Sequence, residues 1–154
     1  MDSSEFSGKV AIVTGAGRGM GRAVSERLSA GGAKLVVNDI DPDAAERTAK
    51  DIISTGGQAL AISGSVASAD DVESLISVTL NCYKQINILV NNAGIVRPTA
   101  VIDIEEAEWD LVVSVNLKGT YLCSRSVLPA MQKDGWGRII NFSSTAGRQY
   151  STIG

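Results

Sequence analysis

The sequence predicts an α/β fold in which a parallel β-sheet is covered by helices on both faces. Short apolar segments alternate with longer amphipathic segments along the 154 residues, and glycine or small polar residues separate them. Short, wholly apolar runs are typical of strands that are buried on both faces. A regular alternation of strand and helix favours right-handed crossovers and therefore a doubly wound parallel sheet.

The boundaries of the elements follow from these runs and from residues that begin or end helices. The predicted strands are residues 10–13, 35–37, 59–62, 86–90 and 139–142. Helices are predicted at 20–30, about 42–54, from Ser68 through Leu80, and at about 105–133. Asp41, followed by Pro42, fits the first position of a helix, and either Ser68 or one of the two aspartates after it fits the same role in the third helix.

Composition excludes several classes of function. The net charge of −3 argues against nucleic acid or a membrane surface as the main partner, because both favour a basic patch. The chain has no histidine, which excludes Ser-His-Asp hydrolysis and His-ligated metals, and Cys82 and Cys123 are too few for a cysteine-only zinc site. No metal site is expected. Because neither a signal peptide nor a membrane-spanning run is found, we expect a cytoplasmic chain.

A glycine-rich loop joins the first predicted strand to the first helix. Residues 14–21 read Thr-Gly-Ala-Gly-Arg-Gly-Met-Gly. Glycine permits a tight turn and close backbone approach, and a helix amino terminus presents N–H groups that suit a pyrophosphate. The strict G-x-G-x-x-G spacing fails for both possible starting glycines. Counted from Gly15, the last glycine of the motif is replaced by Met20, and counted from Gly17 it is replaced by Arg22. The loop alone is equally consistent with a structural turn and with a dinucleotide site.

Asp39 strengthens the second interpretation of this loop. It ends the second predicted strand, close to the spacing at which an acidic residue binds the ribose 2′-hydroxyl of NAD. The alternative is a helix cap or a solvated loop acid. A carboxylate repels the 2′-phosphate of NADP, whereas the guanidinium of Arg18 would attract it. We expect the repulsion to be the larger effect, and the sequence therefore favours NAD over NADP.

Three further motifs follow the glycine loop in order. They are Asn-Asn-Ala-Gly at 91–94, Val-Asn-Leu-Lys-Gly at 115–119, and Gly-Arg-Ile-Ile-Asn-Phe-Ser-Ser at 137–144. Together with Thr-Gly-x-x-x-Gly-x-Gly at 14–21, they resemble the signatures of the short-chain dehydrogenase/reductase family, classical type. The resemblance covers almost the whole chain.

The resemblance implies a Rossmann-like sheet of strand order 3-2-1-4-5 in a single dinucleotide-binding domain over residues 1–154. It implies NAD(P)-dependent hydride transfer between the nicotinamide and a small-molecule secondary alcohol or ketone. Acyl, steroid and sugar-type carbonyls all stay open as substrates. Homo-oligomers are expected for full-length members of the family.

Individual site residues are also implied by the resemblance. Ser144 would bind the substrate oxygen, and Asn116 would hold a helix irregularity and a water of the proton relay. The residues implied for the cofactor are Gly15, Arg18, Gly19, Met20, Gly21, Asp39, Ser65, Val66, Asn92, Ala93 and Gly94. Asn91 and Asn92 are equally consistent with amides that hold neighbouring backbone. Ser65 and Val66 lie where the family often has an aspartate that contacts the adenine.

One departure from the family affects the expected activity. The family moves its proton with a Tyr-x-x-x-Lys pair beyond the serine, and no such pattern occurs in the 154 residues. An unperturbed tyrosine has a pKa near 10 and needs a cationic neighbour to act near neutral pH. We therefore expect an amino-terminal, cofactor-binding part of such an enzyme, without its carboxyl-terminal strands and helices and inactive alone. The alternative is a non-catalytic dinucleotide-binding module or a truncated regulatory remnant.

Overall fold

The computed structural model describes residues 5–144, which form a five-stranded parallel sheet. The strand order is β3-β2-β1-β4-β5, as the resemblance implies. The strands are β1 Val10–Thr14, β2 Lys34–Asp39, β3 Gln58–Ser63, β4 Ile88–Asn91 and β5 Arg138–Asn141. The helices are α1 Gly19–Ala30, α2 Pro42–Ser54, α3 Ala69–Tyr83, α4 Glu106–Val113 and α5 Gly119–Lys133.

The fourth strand begins two residues later than its apolar run predicts. The side-chain oxygen of Asn87 accepts a hydrogen bond from the backbone N–H of Val10 at 2.8 Å, so a side chain replaces a backbone acceptor where the ladder would start. Regular pairing of β4 with β1 therefore begins at Ile88, which lies opposite Ala11. The fifth strand is also displaced by one residue, to Arg138–Asn141.

The predicted helix starts are present, and the open alternative in the third helix is resolved. Asp41 accepts hydrogen bonds from the N–H groups of Asp43 and Ala44, with Pro42 as the first helical residue. Ser68 accepts from the N–H of Asp71 at 3.2 Å and is the cap of α3. Side-chain caps of this kind satisfy the N–H groups that the first turn of a helix leaves without partners.

The helix predicted at 105–133 is not continuous. A π-helical turn at Ser114–Lys118 separates α4 from α5 and contains Asn116. This is the position at which the resemblance implies an irregularity. Extra-wide turns of this type are rare and occur mostly at functional sites.

The core has two layers, one on each face of the sheet. Alternate strand residues face opposite sides, so that Ile12 and Val36 pack on the side of α3 and α5, whereas Val13 and Val37 pack on the side of α1 and α2. All five residues of β1 are buried, as expected for the central strand. Among the helices of residues 5–144, none is long and apolar enough to cross a membrane.

Candidate functional site

A cleft opens at the carboxyl ends of the central strands. Its volume is about 190 Å³. Its walls come from the glycine loop, the end of β2, the loop after β3, the Asn-Asn-Ala-Gly segment and the π-helical turn. The lining residues are Gly15, Arg18, Asn38, Asp39, Ile40, Gly64, Ser65, Val66, Asn92, Ala93, Gly94, Ile95 and Val115. Ligands of doubly wound sheets bind at this edge.

Gly15 and Gly21 are among the loop glycines that are required by the backbone conformation or by close contacts. Gly15 has a φ of +60°, and a Cβ atom there would lie 2.8 Å from Cα of Ala93. A Cβ atom on Gly21 would collide with the backbone oxygen of Gly15 and the side-chain amide of Asn92. The loop therefore approaches the Asn-Asn-Ala-Gly segment more closely than any other residue type would permit.

The amino terminus of α1 is open toward solvent at the end of this loop. Arg18 occupies the capping position without a side-chain hydrogen bond to the helix, and the first turn contains no acidic residue. Arg18, Gly19 and Met20 are exposed. A helix whose first turn contains no acidic residue keeps its partial positive charge available to an anion. The geometry therefore fits a pyrophosphate at the loop.

Asp39 lines the cleft and also holds the backbone around it. Its Oδ2 accepts from the N–H of Gly17 at 2.8 Å, and its Oδ1 accepts from the N–H of Asp41 at 3.1 Å. Thr48 of α2 donates to the oxygen of Gly17 at 3.2 Å. The carboxylate is thus fixed in place by two backbone donors, and it keeps the capacity to accept further hydrogen bonds.

The Asn-Asn-Ala-Gly segment is attached to β1 by Asn92. The amide of Asn92 donates to the backbone oxygens of Thr14 and Gly15, both at 2.9 Å. The hydroxyl of Thr14 accepts from the N–H groups of Asn92 and Ala93. The backbone-holding role considered for Asn92 is present in this geometry.

The side-chain amide of Asn91 bonds to other side chains rather than to neighbouring backbone, which differs from the alternative considered for it. Its amide donates to the hydroxyl of Ser124 at 3.0 Å and to the side-chain oxygen of Asn141 at 2.8 Å. The reason is its position on a central strand, where its side chain is buried between α5 and β5. Asn91 therefore connects three elements beside the cleft.

Asn116 joins the π-helical turn to the segment that follows the Asn-Asn-Ala-Gly motif. Its amide donates to the oxygen of Ile95 and its side-chain oxygen accepts from the N–H of Ile95, both at 2.8 Å. Ile95 and Val115 line the cleft, whereas Asn116 itself does not. Asn116 positions the wall between the cleft and the last helix.

Ser65 and Val66 form the opposite wall. The N–H of Ser65 donates to Asp71 at 2.8 Å, and the Ser65 hydroxyl accepts from the N–H of Ala67 at 3.2 Å. Val66 is buried against Gly119, where an added Cβ atom would lie 2.6 Å from Cγ2 of the valine. The start of α5 therefore fixes the position of Val66 in the cleft.

Ser144 lies at the same edge of the sheet but outside the residues that line the cleft. It is exposed and follows β5, whose neighbour Phe142 donates its N–H to the oxygen of Asn91 at 2.9 Å. Arg97 is exposed after the Asn-Asn-Ala-Gly segment.

The titratable groups with shifted pKa values lie away from the cleft. Burial raises the pKa of Tyr83, which packs near Lys34 at the amino end of β2. Burial also raises the pKa of the Cys123 thiol to about 11, so this residue acts as a small core side chain. Within residues 5–144, no group of three or more Cys, Asp and Glu side chains is arranged to hold a metal ion.

Several cleft residues were not identified from the sequence as site residues. They are Thr14, Gly17, Asn38, Ile40, Gly64, Ile95 and Val115, which line the cleft or hold its loop. Asn38 could have been recognised as a candidate from the sequence, because it is a polar residue that directly follows the apolar run of β2. The other contacts depend on segments that are distant in the sequence.

Comparison with known proteins identifies the family. The model described as short chain dehydrogenase matches residues 9–154. The chain belongs to the short-chain dehydrogenase family. Members of this family are oxidoreductases that use a nicotinamide cofactor, and the cleft is at the edge of the sheet where such a cofactor fits.

Relatives in this family are similar over nearly all of the chain. A 3-oxoacyl-[acyl-carrier-protein] reductase of Synechocystis is 44% identical over 143 residues, which are 92% of this chain and 58% of the relative. A 3-oxoacyl-[acyl-carrier-protein] reductase of Staphylococcus aureus is 38% identical over 140 residues, or 90% and 57% of the two chains. The chain therefore spans a little over half the length of these curated relatives.

A solved structure supports the fold. A metagenomic short-chain oxidoreductase in complex with NADP superimposes with a TM-score of 0.93 at 35% identity, over 98% of this chain and 69% of that one. The strand order and the Rossmann-like architecture expected from the sequence are confirmed.

Proposed function

We propose that the cleft binds NAD or NADH and that the chain contributes this site to an oxidoreductase acting on a secondary alcohol or ketone. The observation that carries the proposal is the combination of an uncapped helix start and a fixed carboxylate, 2.8 Å from the N–H of Gly17, in one cleft. The first fits a diphosphate, and the second fits the hydroxyls of a ribose. We treat residues 1–154 as one dinucleotide-binding domain.

Each part of the cofactor has a set of residues that would hold it. Gly15, Gly19 and Gly21 would permit the approach of the pyrophosphate, with Arg18 and Met20 exposed beside it. Asp39 would bind the adenosine ribose. Ser65 and Val66 would lie along the adenine, and the segment Asn92, Ala93 and Gly94 would line the remainder of the cleft.

The preference for NAD depends on the competition between Asp39 and Arg18. Asp39 is held by two backbone N–H groups, so its charge stays at the rim. Arg18 is an exposed side chain. A fixed carboxylate repels a phosphate at close range, whereas a solvated guanidinium is screened by water and salt. The metagenomic relative in complex with NADP weighs against this preference, so the preference needs a direct test.

The chemistry proposed for the complete site is reversible hydride transfer. A bound nicotinamide would supply hydride to the carbon of a ketone or accept it from the carbon of an alcohol. Ser144 would donate a hydrogen bond to the oxygen on that carbon, and Asn116 would hold the π-helical turn against Ile95, which lines the cleft. Because two relatives are 3-oxoacyl-[acyl-carrier-protein] reductases, a 3-oxoacyl carbonyl is the first substrate class to assay.

Calorimetric titration of the 154-residue chain with NADH and with NADPH tests the cofactor assignment. We expect NADH to bind and NADPH to bind about tenfold more weakly, which corresponds to about 1.4 kcal/mol. Asp39→Asn should reduce this ratio, because it removes the charge and keeps an acceptor oxygen. Asp43→Asn, which removes a neighbouring charge outside the cleft lining, serves as the matched control and should keep the ratio.

Two outcomes would contradict parts of this proposal. Equal or tighter binding of NADPH by the unaltered chain would show that the preference for NAD is wrong. An absence of heat with both dinucleotides at millimolar concentration would show that the cleft is not a cofactor site.

A separate activity assay tests whether the chain can catalyse the reaction without a Tyr-x-x-x-Lys pair. The 154 residues contain no Tyr-x-x-x-Lys, so we expect binding without alcohol-dependent reduction of NAD by this chain alone. Turnover at rates usual for enzymes, lost in Ser144→Ala, would show that some other group in the chain moves the proton.

A further inference from the structure

Thr48 and Thr79 are both fully buried on helices, but their hydroxyls are used differently. The hydroxyl of Thr79 donates to the oxygen of Leu75 at 2.7 Å, one turn earlier in the same helix, α3. Bonds of this kind are usual for a threonine inside a helix. The hydroxyl of Thr48 in α2 donates instead to the oxygen of Gly17 at 3.2 Å. Thr48 therefore connects α2 to the glycine loop.

Gly17 is held on both of its backbone polar groups. Its oxygen accepts from Thr48, and its N–H donates to Oδ2 of Asp39 at 2.8 Å. Gly17 is buried, and an added Cβ atom would lie 2.6 Å from Cβ of Ala44 in α2 and 2.9 Å from Oδ2 of Asp39. The glycine loop, α2 and the carboxylate of Asp39 are therefore in close contact at this residue.

Asp39 is connected to α2 a second time, through the start of the helix. Its Oδ1 accepts from the N–H of Asp41 at 3.1 Å, and the side chain of Asp41 caps α2. Both oxygens of the carboxylate are thus held by backbone N–H groups. One of these groups belongs to the residue that begins α2, and the other belongs to Gly17, which α2 holds through Thr48. The position of the carboxylate therefore depends on α2.

Loss of the Thr48 hydroxyl would act on Asp39 through Gly17. The buried oxygen of Gly17 would lose this donor, and burial of an acceptor without a donor is unfavourable. The backbone at Gly17 would relax, and the N–H that holds Asp39 would move with it. Arg18 follows Gly17 directly and is exposed, so its guanidinium would move relative to the carboxylate as well. A carboxylate that is held less firmly repels a 2′-phosphate less, because the repulsion falls with distance.

We propose that Thr48 is a positioning residue for the choice between NAD and NADP. Thr48 is not among the residues that line the cleft, so it acts through Gly17 and Asp39 and not by contact with the dinucleotide. The hydroxyl of Thr48 carries this role, since the hydroxyl is the group that bonds to Gly17. The inference rests on the proposed binding of a dinucleotide in this cleft.

The test is the ratio of NADH affinity to NADPH affinity, measured by calorimetric titration of the 154-residue chain and its variants. Thr48→Val removes the hydroxyl and nearly keeps the size of the side chain, and it should lower this ratio by about threefold. Thr48→Ser keeps the hydroxyl and should keep the ratio. Thr48→Ala is a second variant without the hydroxyl, and it replaces Thr48→Val if that variant fails to fold.

Thr79→Val is the matched control for a role in stability alone. It removes a hydroxyl that is equally buried, on a helix at the other face of the sheet. Urea denaturation should show a loss of stability, whereas the ratio of the two affinities should stay the same. A purely structural effect lowers the binding of both dinucleotides together and leaves their ratio unchanged. The ratio therefore separates positioning of Asp39 from general stability.

A double variant tests whether Thr48 acts through the charge of Asp39. In the Asp39→Asn background, Thr48→Val should produce no further change in the ratio, because the repelling charge is already absent. A further threefold change in this background would show that Thr48 acts by another route, and the inference would be wrong.

The remaining outcomes separate the inference from the proposed function. The inference is wrong if the variants without the hydroxyl keep the ratio of the unaltered chain, or if Thr48→Ser or Thr79→Val lowers it as much as Thr48→Val does. The cleft would remain a cofactor site in these cases. Because the inference concerns the change between variants, it is tested even if the unaltered chain prefers NADPH. If neither dinucleotide binds, the proposed function fails and the inference fails with it.

Discussion

The two edges of the sheet each contain a buried asparagine, and the two side chains are used differently. At the amino edge, Oδ1 of Asn87 accepts from the N–H of Val10, and the backbone of Asn87 bonds to Val10 and Arg138. At the carboxyl edge, Oδ1 of Asn38 has no protein donor. The amino edge uses the oxygen of its buried amide to join strands, whereas at the carboxyl edge the amide nitrogen of Asn38 joins β2 to the end of β3 and its oxygen has no partner in the protein.

The two edges also differ in their charged residues and glycines. At the amino edge, Lys9 and Arg138 lie over the ring of Trp136, at 4.3 and 4.8 Å from its centroid. At the carboxyl edge, Gly15 and Gly19 have positive φ values, and α1 starts without a side-chain cap. The charges of Lys9 and Arg138 therefore contact a protein ring, whereas the start of α1 is exposed and has no side-chain cap. The comparison predicts that substitutions at the first edge change stability and those at the second change affinity.

The largest effect is expected for Gly21→Ala at the carboxyl edge. The added methyl group would collide with the oxygen of Gly15 and the amide of Asn92. Overpacking of this kind costs about 1–3 kcal/mol of unfolding free energy. It would also displace the loop, so we expect NADH affinity to fall by about tenfold or more. Urea denaturation and calorimetric titration measure the two effects.

Gly56→Ala is the matched control for this substitution. Gly56 has a φ of +89° and open space around its Cα, far from the cleft lining. It should lose about 1–2 kcal/mol through backbone strain, while NADH affinity stays the same. Undiminished NADH binding by Gly21→Ala would show that the close approach of the loop is not needed.

The next effect is a loss of stability without a loss of affinity in Asn87→Ala. The substitution leaves the buried N–H of Val10 without its acceptor, which costs about 1–3 kcal/mol. Asn38→Ala should cost less in stability, because it also removes an acceptor that has no protein partner. Chemical denaturation of both variants provides the comparison. The proposed difference between the two edges is wrong if Asn38→Ala loses more unfolding free energy than Asn87→Ala. It is also wrong if Asn87→Ala binds NADH more weakly than the unaltered chain does.

The smallest effect is expected for Lys9→Gln at the amino edge. Its ammonium lies over Trp136, and contacts of this kind contribute about 0.5–1 kcal/mol at partly exposed sites. Lys133→Gln, an exposed lysine at the end of α5, is the control and should change stability less. If the two variants are equally stable, the ring contact contributes nothing to this edge.

The fold could be predicted from the sequence because its elements have strong local signals. The run at β1 is wholly apolar and ends in glycine, and Asp41-Pro42 fixes the start of α2. The predicted start of β4 is two residues too early, because the side-chain oxygen of Asn87 replaces a backbone oxygen as the acceptor for Val10. The hydrophobic pattern of the sequence contains no sign of this replacement. The break at 114–118 was expected only through the resemblance, since it depends on the pairing of Asn116 with Ile95.

The candidate site was predictable in its glycine loop and carboxylate but not in its connections. The spacing of Asp39 from the loop indicated proximity, whereas its bonds to Gly17 and Asp41 needed three-dimensional geometry. The partners of Asn91 are side chains on β5 and α5, which are distant in the sequence, so no local pattern indicated that its amide would bond to side chains rather than to backbone. The open acceptor of Asn38 is a property of burial, and only the packed structure reveals it.

A crystal structure of the 154-residue chain grown with NADH tests the central claim most directly. We expect the diphosphate at the start of α1, the adenosine ribose at Asp39, and the adenine beside Ser65 and Val66. Density for the adenosine at any other edge of the sheet would contradict the account.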